Sequence, residues 1–381
     1  MRKELAVLCM VCFSLQATGQ AVTAELNGQA AGWGIVNLQK PLNYQFGART
    51  LPAFSITGSL DSLHRFDAEV SGNFYTSATF AGNAYQDGVA GIRPYRVWVR
   101  YSAPGLELRL GLQKINFGSA SILRPLMWFD QVDPRDPLQI TDGVYALLGR
   151  YYFGNNAGIW LWGIYGNGKT KGWEYLPTKE KTAEAGGRLQ LLAGPGEVAF
   201  TCHRRLADCS QWTYDSVPVT RSFVHENRFA IDGKWDLGIG ISGEIVVKKT
   251  GRFSPLVPEW EKYMNIGMDY TFAVGNGIGL VLEHLLIQTS GHLFASSGNR
   301  SFTALTLSYP LGVLDRAAGI FFYDWSHKSF YRFISFNRQY DKWSLYWMAF
   351  WNPQSFTIFH SETRQSLMAG KGIQFMVVYN F

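Results

Sequence analysis

Short segments of alternating apolar and polar residues recur along almost the whole chain, and they constrain its fold more than any other feature. In LELRLGLQ, residues 106–113, every second residue is leucine, and RFAIDGKW (228–235) and MNIGMDYTF (264–272) continue the alternation. A period of two puts successive side chains on opposite faces of a β-strand. The pattern therefore predicts an all-β chain, in one domain, from residue 25 to residue 381.

The connections between these segments alternate between short and long. Short joins lie at 103–105, 154–156, 193–196, 275–277 and 338–341. Long joins lie at 38–50, 81–93, 118–143, 168–182, 205–225, 250–261, 290–300 and 353–369. Transmembrane barrels have tight periplasmic turns and longer extracellular loops. We therefore expect a single transmembrane antiparallel β-barrel of about 18 strands, with 16 as the alternative count.

The composition agrees with this fold class. Charged residues make up 17% of the chain and aromatic residues 15%. The aromatic content excludes intrinsic disorder. After residue 15, no apolar run approaches the roughly 20 residues that a membrane-spanning helix requires.

The N-terminus resembles a signal peptide. Arg2 and Lys3 precede the apolar run LAVLCMVCFSL, and small residues follow it. We predict a signal peptide over residues 1–24, with cleavage after Gly19 or Ala24. Export through such a signal would place the barrel in the cell outer membrane.

The last segment, GIQFMVVYNF, alternates with Ile373, Phe375 and Val377 on one face. It resembles the C-terminal signature strand of Gram-negative outer-membrane barrels. That resemblance implies that Tyr379 and Phe381 form an assembly signal for the barrel-assembly machinery. The strand is expected to pair with the first one, because an open sheet edge in hydrocarbon leaves backbone groups unpaired.

The connection 118–143 contains the apolar residues Met127, Trp128 and Phe129, which need burial. We expect this connection to fold into the barrel as a constriction loop. Its charged residues permit two readings: a calcium site, since Ca²⁺ prefers clustered carboxylates, or a loop pinned by Asp–Arg pairs. The predicted constriction-loop residues are Arg124, Trp128, Asp130, Asp133, Arg135 and Asp136.

The segment INFGSASILRPLMWFDQVDPRDPLQITDGVYALLGRYYF (115–153) follows the strand that contains RLGLQ. It resembles the corresponding region of porin-like barrels from bacteroidetes and proteobacteria, including the alginate-export type. Those proteins have a similar glycine, then arginine-proline, then a proline-bounded acidic stretch. The resemblance covers about 40 residues and implies a passive channel for a hydrophilic solute. It transfers no solute-binding residue.

Charged residues at inward positions of neighbouring strands predict a pore lining. Arginines close together on one wall would favour anions, whereas arginines paired with acids would only stiffen the wall. The predicted pore-lining residues are Arg96, Arg100, Glu107, Arg109, Arg150, Asp232 and Lys234.

Cys202 and Cys209 are the cysteines that remain after the predicted signal peptide. Two cysteines this close in an exported chain predict a small disulfide. A metal site is the alternative, although His203 is the only other soft ligand nearby.

These features together predict an outer-membrane porin for small hydrophilic solutes, with anions and saccharides as candidate classes. No cofactor, metal or nucleic-acid partner is expected. Expected partners are outer-membrane lipid and lipopolysaccharide, the barrel-assembly machinery and, as an option, further copies of the chain. A structural or adhesive barrel with a blocked lumen and partner-binding loops is the alternative. An outer-membrane hydrolase is less favoured, because GxSxG and HExxH motifs are absent from the sequence.

Overall fold

A computed structural model describes residues 22–212, 219–255, 257–354 and 367–381. The described residues form a succession of β-strands. In chain order they are β1 (Val22–Asn37), β2 (Asn43–Ser59), β3 (Arg65–Ala81), β4 (Ala84–Ala103), β5 (Leu106–Gln113), β6 (Val144–Tyr152), β7 (Gly158–Tyr165), β8 (Ala183–Ala193), β9 (Gly196–Asp208), β10 (Phe223–Asp236), β11 (Gly240–Thr250), β12 (Trp260–Phe272), β13 (Ile278–Ser290), β14 (Gly298–Pro310), β15 (Asp315–Asp324), β16 (Ser329–Gln339), β17 (Trp343–Trp351) and β18 (Lys371–Asn380).

The strands form one closed sheet. Each strand pairs antiparallel with its neighbours in the chain, and β18 pairs with β1 from Gln29↔Asn380 to Asn37↔Gly372. Beyond β18, Phe381 exchanges two backbone hydrogen bonds with Gly28. Closure satisfies the edge groups that an open sheet would leave unpaired. The predicted 18-stranded antiparallel barrel is therefore confirmed.

The outer face of the barrel is an apolar belt. Leu110 on β5 is 57% exposed and Ile266 on β12 is 64% exposed, while the inward Asn265 beside Ile266 is buried. On β18, Ile373 and Phe375 are exposed outward, as the alternation predicted. A continuous exposed apolar belt is typical of a barrel that contacts lipid.

The two rims of the barrel differ in the length of their connections. One rim, here called the short-turn rim, carries the joins 60–64, 104–105, 153–157, 194–195, 237–239, 273–277, 311–314 and 340–342. The opposite, long-loop rim carries 38–42, 82–83, 114–143, 166–182, 209–222, 251–259, 291–297, 325–328 and 352–370. Within the described ranges, no helix is long and apolar enough to cross a membrane.

The predicted long connection at 81–93 is wrong. β3 and β4 form an extended hairpin whose turn is Gly82–Asn83, with Ala81 opposite Ala84. Gly82 adopts φ 57°, a left-handed conformation that glycine enters without steric cost. Residues 1–21, most of the predicted signal peptide, lie outside the described residues, and Val22 to Ala24 belong to β1.

Candidate functional site: the barrel interior and its inward loop

The connection 114–143, here called the inward loop, lies inside the barrel. Trp128 is 4% exposed and Phe129 is 2% exposed, and Phe117 stacks on Trp162 of β7 with ring centroids 5.4 Å apart. Most of the loop's apolar side chains form one buried cluster with inward residues of β6, β7 and β10 to β16. Burial of this apolar surface holds the loop against that part of the wall.

Two buried glutamates of this same part of the wall bind the backbone of the inward loop. Glu283 on β13 accepts hydrogen bonds from the N–H groups of Ser121 at 2.6 Å, Ile122 at 3.1 Å and Leu123 at 2.7 Å. Three N–H groups around one carboxylate make a favourable anion site. The sequence signal for this role is an isolated acid within the apolar strand β13.

Glu244 on β11 holds the same loop from a second position. It accepts hydrogen bonds from the N–H of Ala120 at 2.7 Å and of Leu126 at 3.3 Å. Gly118 has φ 102°, and a Cβ there would lie 2.5 Å from the Glu244 Oε1 atom. Glycine is therefore required at this close approach between loop and wall.

Four charged residues of the inward loop form two Asp–Arg pairs. Arg124 contacts Asp130 at 2.9 Å and Arg135 contacts Asp133 at 2.7 Å. Asp136 accepts the N–H of Leu138 at 3.1 Å. Among the residues described, no group of three or more His, Cys, Asp or Glu side chains could hold a metal ion. Of the two readings of these charges, this arrangement favours a loop held in place by Asp–Arg pairs over a calcium site.

Three predicted pore-lining arginines converge on one carboxylate. Arg100, Arg109 and Arg150 lie 3.7, 3.2 and 3.4 Å from Glu107. Their side chains keep 25%, 16% and 17% exposure inside the barrel. Arg109 also lies over the ring of Trp98 at 4.7 Å. We call Arg100, Glu107, Arg109 and Arg150 the arginine group; it lies towards the short-turn rim.

Two other predicted pore-lining residues face inward but are buried. Arg96 donates to the Thr141 carbonyl at 3.0 Å, so it braces the end of the inward loop. Asp232 is 3% exposed and binds Arg188 through both carboxylate oxygens. A buried ion pair of this kind does not present its charge to a solute. Lys234 stays exposed near the short-turn rim and pairs with Asp269 at 2.9 Å.

A buried charged network that the sequence did not reveal lies beneath the long-loop rim. Glu226 of β10 binds Arg205 at 2.7 Å and Arg228 at 2.6 Å. Arg205 also contacts Glu174 of the 166–182 connection at 3.2 Å, and Arg228 contacts it as well. The network therefore ties this connection into the barrel mouth.

We expect the docking of the same connection to depend on pH through Lys171. Burial, only partly opposed by Glu174 and Glu184, lowers the pKa of Lys171 to about 8. Between this value and the ordinary pKa of 10.5, the unfolded chain binds more protons than the folded chain. Stability should therefore rise with pH across that window. We expect Lys171→Met to remove this rise in a series of thermal unfolding measurements; identical slopes in both proteins would contradict it.

The predicted disulfide is wrong, because Cys202 and Cys209 are free. Cys202 is exposed on the outer face of β9, and Cys209 is buried just beyond the end of that strand. Seven residues of extended chain separate their Cα atoms by about 20 Å, far beyond disulfide reach.

The free thiols can be tested by alkylation. Burial raises the pKa of the Cys209 thiol to about 12, so it should not react in the folded protein near neutral pH. We expect both Cys202 and Cys209 to be alkylated after unfolding without reductant, as counted by mass spectrometry. Alkylation only after addition of a reductant would restore the disulfide.

A cavity of about 800 Å³ lies between the inward loop and β14 to β18, open towards the short-turn rim. Its lining mixes aromatic, amide and charged side chains, including Arg135, Phe333, Tyr346 and Gln374. A volume of this size accommodates a small solute.

Several solved outer-membrane proteins are similar to this chain at very low sequence identity. OccK5 (OpdH) of Pseudomonas aeruginosa has 8% identity and a TM-score of 0.57, with 94% of this chain and 98% of that chain covered. The outer membrane channel DcaP of Acinetobacter baumannii has 8% identity and a TM-score of 0.51, covering 95% and 98%. OmpT of Vibrio cholerae, an outer membrane protein in its trimer form, has 8% identity and a TM-score of 0.51, covering 95% and 100%.

This likeness shows the porin-like barrel fold. No protein-family model matches the sequence, and no curated protein matches it.

Proposed function

We propose that this chain is an outer-membrane porin through which small hydrophilic solutes diffuse passively. Its apolar belt and closed barrel suit a lipid environment. The similar barrels include one described as an outer membrane channel, DcaP of Acinetobacter baumannii. In this proposal the long-loop rim faces the outside of the cell, the 1–24 segment directs export, and the barrel-assembly machinery recognises Tyr379 and Phe381.

The arginine group carries the proposal of anion preference. Three guanidinium groups share one carboxylate, Glu107, and Asp67 binds both Arg65 and Arg100. With the inward Glu69 of the same strand as Asp67 counted, four arginines (Arg65, Arg100, Arg109 and Arg150) face three carboxylates (Asp67, Glu69 and Glu107). This wall therefore keeps a net positive charge. A positive wall in a narrow channel raises the local concentration of anions. Small anions are therefore the proposed solute class, and saccharides come second.

Solute flux into liposomes tests the proposal. Vesicles with the purified barrel should admit a small sugar acid faster than a neutral sugar of the same size, and empty vesicles should admit neither. Equal rates for the two solutes would reject the anion preference. Absence of flux for both would reject the channel.

A barrel with a blocked lumen is the second candidate function. The buried cluster of the inward loop favours it, because that cluster reaches from Leu148 on β6 to Tyr331 on β16. In that case the external loops would bind a partner, and absence of flux is the expected result. Assembly with further copies of the chain, and membership of the alginate-export type of barrel, remain part of the porin proposal.

A further inference from the structure

The outer face of the barrel carries a row of polar and basic residues near the long-loop rim. Arg204 on β9 lies opposite Asn227 on β10, which lies opposite Lys249 on β11, which lies opposite Trp260 on β12. We call these four residues the rim row. They point outward, because their neighbours in the chain, such as His203, Arg205 and Lys248, are buried inside the barrel.

The rim row lies directly above the apolar belt. One outward position nearer the barrel centre, Phe229 is 57% exposed and lies opposite Cys202 and Val247. One position further, Phe200 and Ile245 are 46% and 50% exposed. Outward residues on a strand are spaced by about 6.6 Å, so the charges lie one such step beyond the apolar surface. This is the level of lipid headgroups when acyl chains cover the belt.

The basic side chains of the rim row are available to a ligand. Arg204 and Lys249 are exposed, and neither forms an ion pair within the part of the chain that the structure describes. By contrast, Arg338 on the outer face at the short-turn rim pairs with Asp315 at 3.6 Å. Lys249 lies over the ring of Trp260 at 5.0 Å, which keeps its ammonium group at the barrel surface.

The spacing of the rim row suits one phosphate. Neighbouring strands lie about 4.8 Å apart, so the backbones of Arg204 and Lys249 are separated by about 10 Å. Two long side chains can reach a shared anion across that gap, with the amide of Asn227 between them as a hydrogen-bond donor. Tryptophan beside such a site is typical of the membrane interface.

The same combination recurs elsewhere on this rim. Arg332 on β16 lies opposite Trp351 on β17, which lies opposite Lys371 on β18. The Arg332 guanidinium lies 5.6 Å from the Trp351 ring centroid and 4.4 Å from that of Phe330. Two separate sectors of the outer face therefore place basic residues and tryptophan at the same level.

We propose that the rim row is a binding site for the phosphate of a phosphorylated lipid of the outer leaflet, such as the lipid A part of lipopolysaccharide. A lipid is the source of the phosphate because the site adjoins a surface that acyl chains must cover. The proposal depends on the proposed location and orientation in the outer membrane, but not on an open channel.

Native mass spectrometry of the purified barrel can measure binding of bis-phosphorylated lipid A and of its dephosphorylated form. The variant is Arg204→Gln with Lys249→Gln. The control is Lys169→Glu, which changes the net charge by the same two units at an exposed loop position away from the rim row. We expect wild type to bind the phosphorylated lipid about tenfold more tightly than the dephosphorylated one, and the double variant to lose that preference.

Unchanged binding in the double variant, an equal loss in the control, or equal binding of the two lipids by wild type would overturn the proposal. Heat-modifiable migration in gel electrophoresis shows that the double variant is folded, whether or not its lumen is open. Conductance of the same preparation separates the two proposals, since lipid binding can fail while the channel conducts, and channel conductance can fail while lipid binds.

Discussion

Glu283→Ala should release the inward loop from the barrel wall. The substitution leaves the backbone N–H groups of residues 121, 122 and 123 without their acceptor. Each buried unsatisfied N–H costs about 1–3 kcal/mol, so docking should weaken by several kcal/mol. We expect a larger single-channel conductance with frequent transitions between levels, together with new protease cleavage within 114–143.

Two further variants test whether loss of the Glu283 carboxylate causes this effect. Glu283→Gln keeps one acceptor oxygen in place, so its effect should be intermediate. His284→Gln is the matched control, because His284 is the next residue of β13 and faces outward, where it contacts Thr303 at 2.9 Å. A steady wild-type conductance in Glu283→Ala would show that the apolar cluster alone positions the loop.

Replacing Arg100, Arg109 and Arg150 together with glutamine should reverse the charge of the proposed path. Glu107 would then lack its guanidinium partners and make the wall negative. We expect the anion-to-cation permeability ratio, measured from the reversal potential in a salt gradient, to fall roughly threefold or more. Screening by salt should reduce the difference at high ionic strength.

The opposite change provides the control for the arginine group. Glu107→Gln removes the shared carboxylate and should raise the same permeability ratio. Arg96→Gln should change it little, because Arg96 is buried against the loop carbonyl of Thr141. Equal ratios in wild type and the triple variant would show that solutes do not pass this wall.

The barrel itself could be predicted because a lipid-facing strand has one apolar and one polar face. This rule assigned Leu108 and Leu110 outward and Arg109 inward without any knowledge of neighbours. It fails where the inner face is also apolar. On β15, Phe321 faces outward while Phe322 is fully buried against the cluster of the inward loop. The period of two therefore disappears where the loop packs.

Long-range partners could not be predicted from the sequence. Glu283 interrupts an apolar strand, and only the folded loop, some 160 positions earlier in the chain, explains it. Likewise, Arg96 and Asp232 have the inward position predicted for them, but burial by other segments decides whether they contact solvent. The disulfide prediction was wrong for a simpler reason. Two cysteines close in the sequence lie far apart in space when the chain between them is an extended strand.

Reversal potential and single-channel current of the wild-type barrel in a planar bilayer, under a potassium chloride gradient, test the central claim most directly. The claim is that the inward loop leaves open a path along the arginine group. We expect steady ohmic current steps and a reversal potential shifted from zero towards the chloride equilibrium potential. Bilayers that contain folded barrel yet show no current steps, or steps selective for potassium, would contradict it.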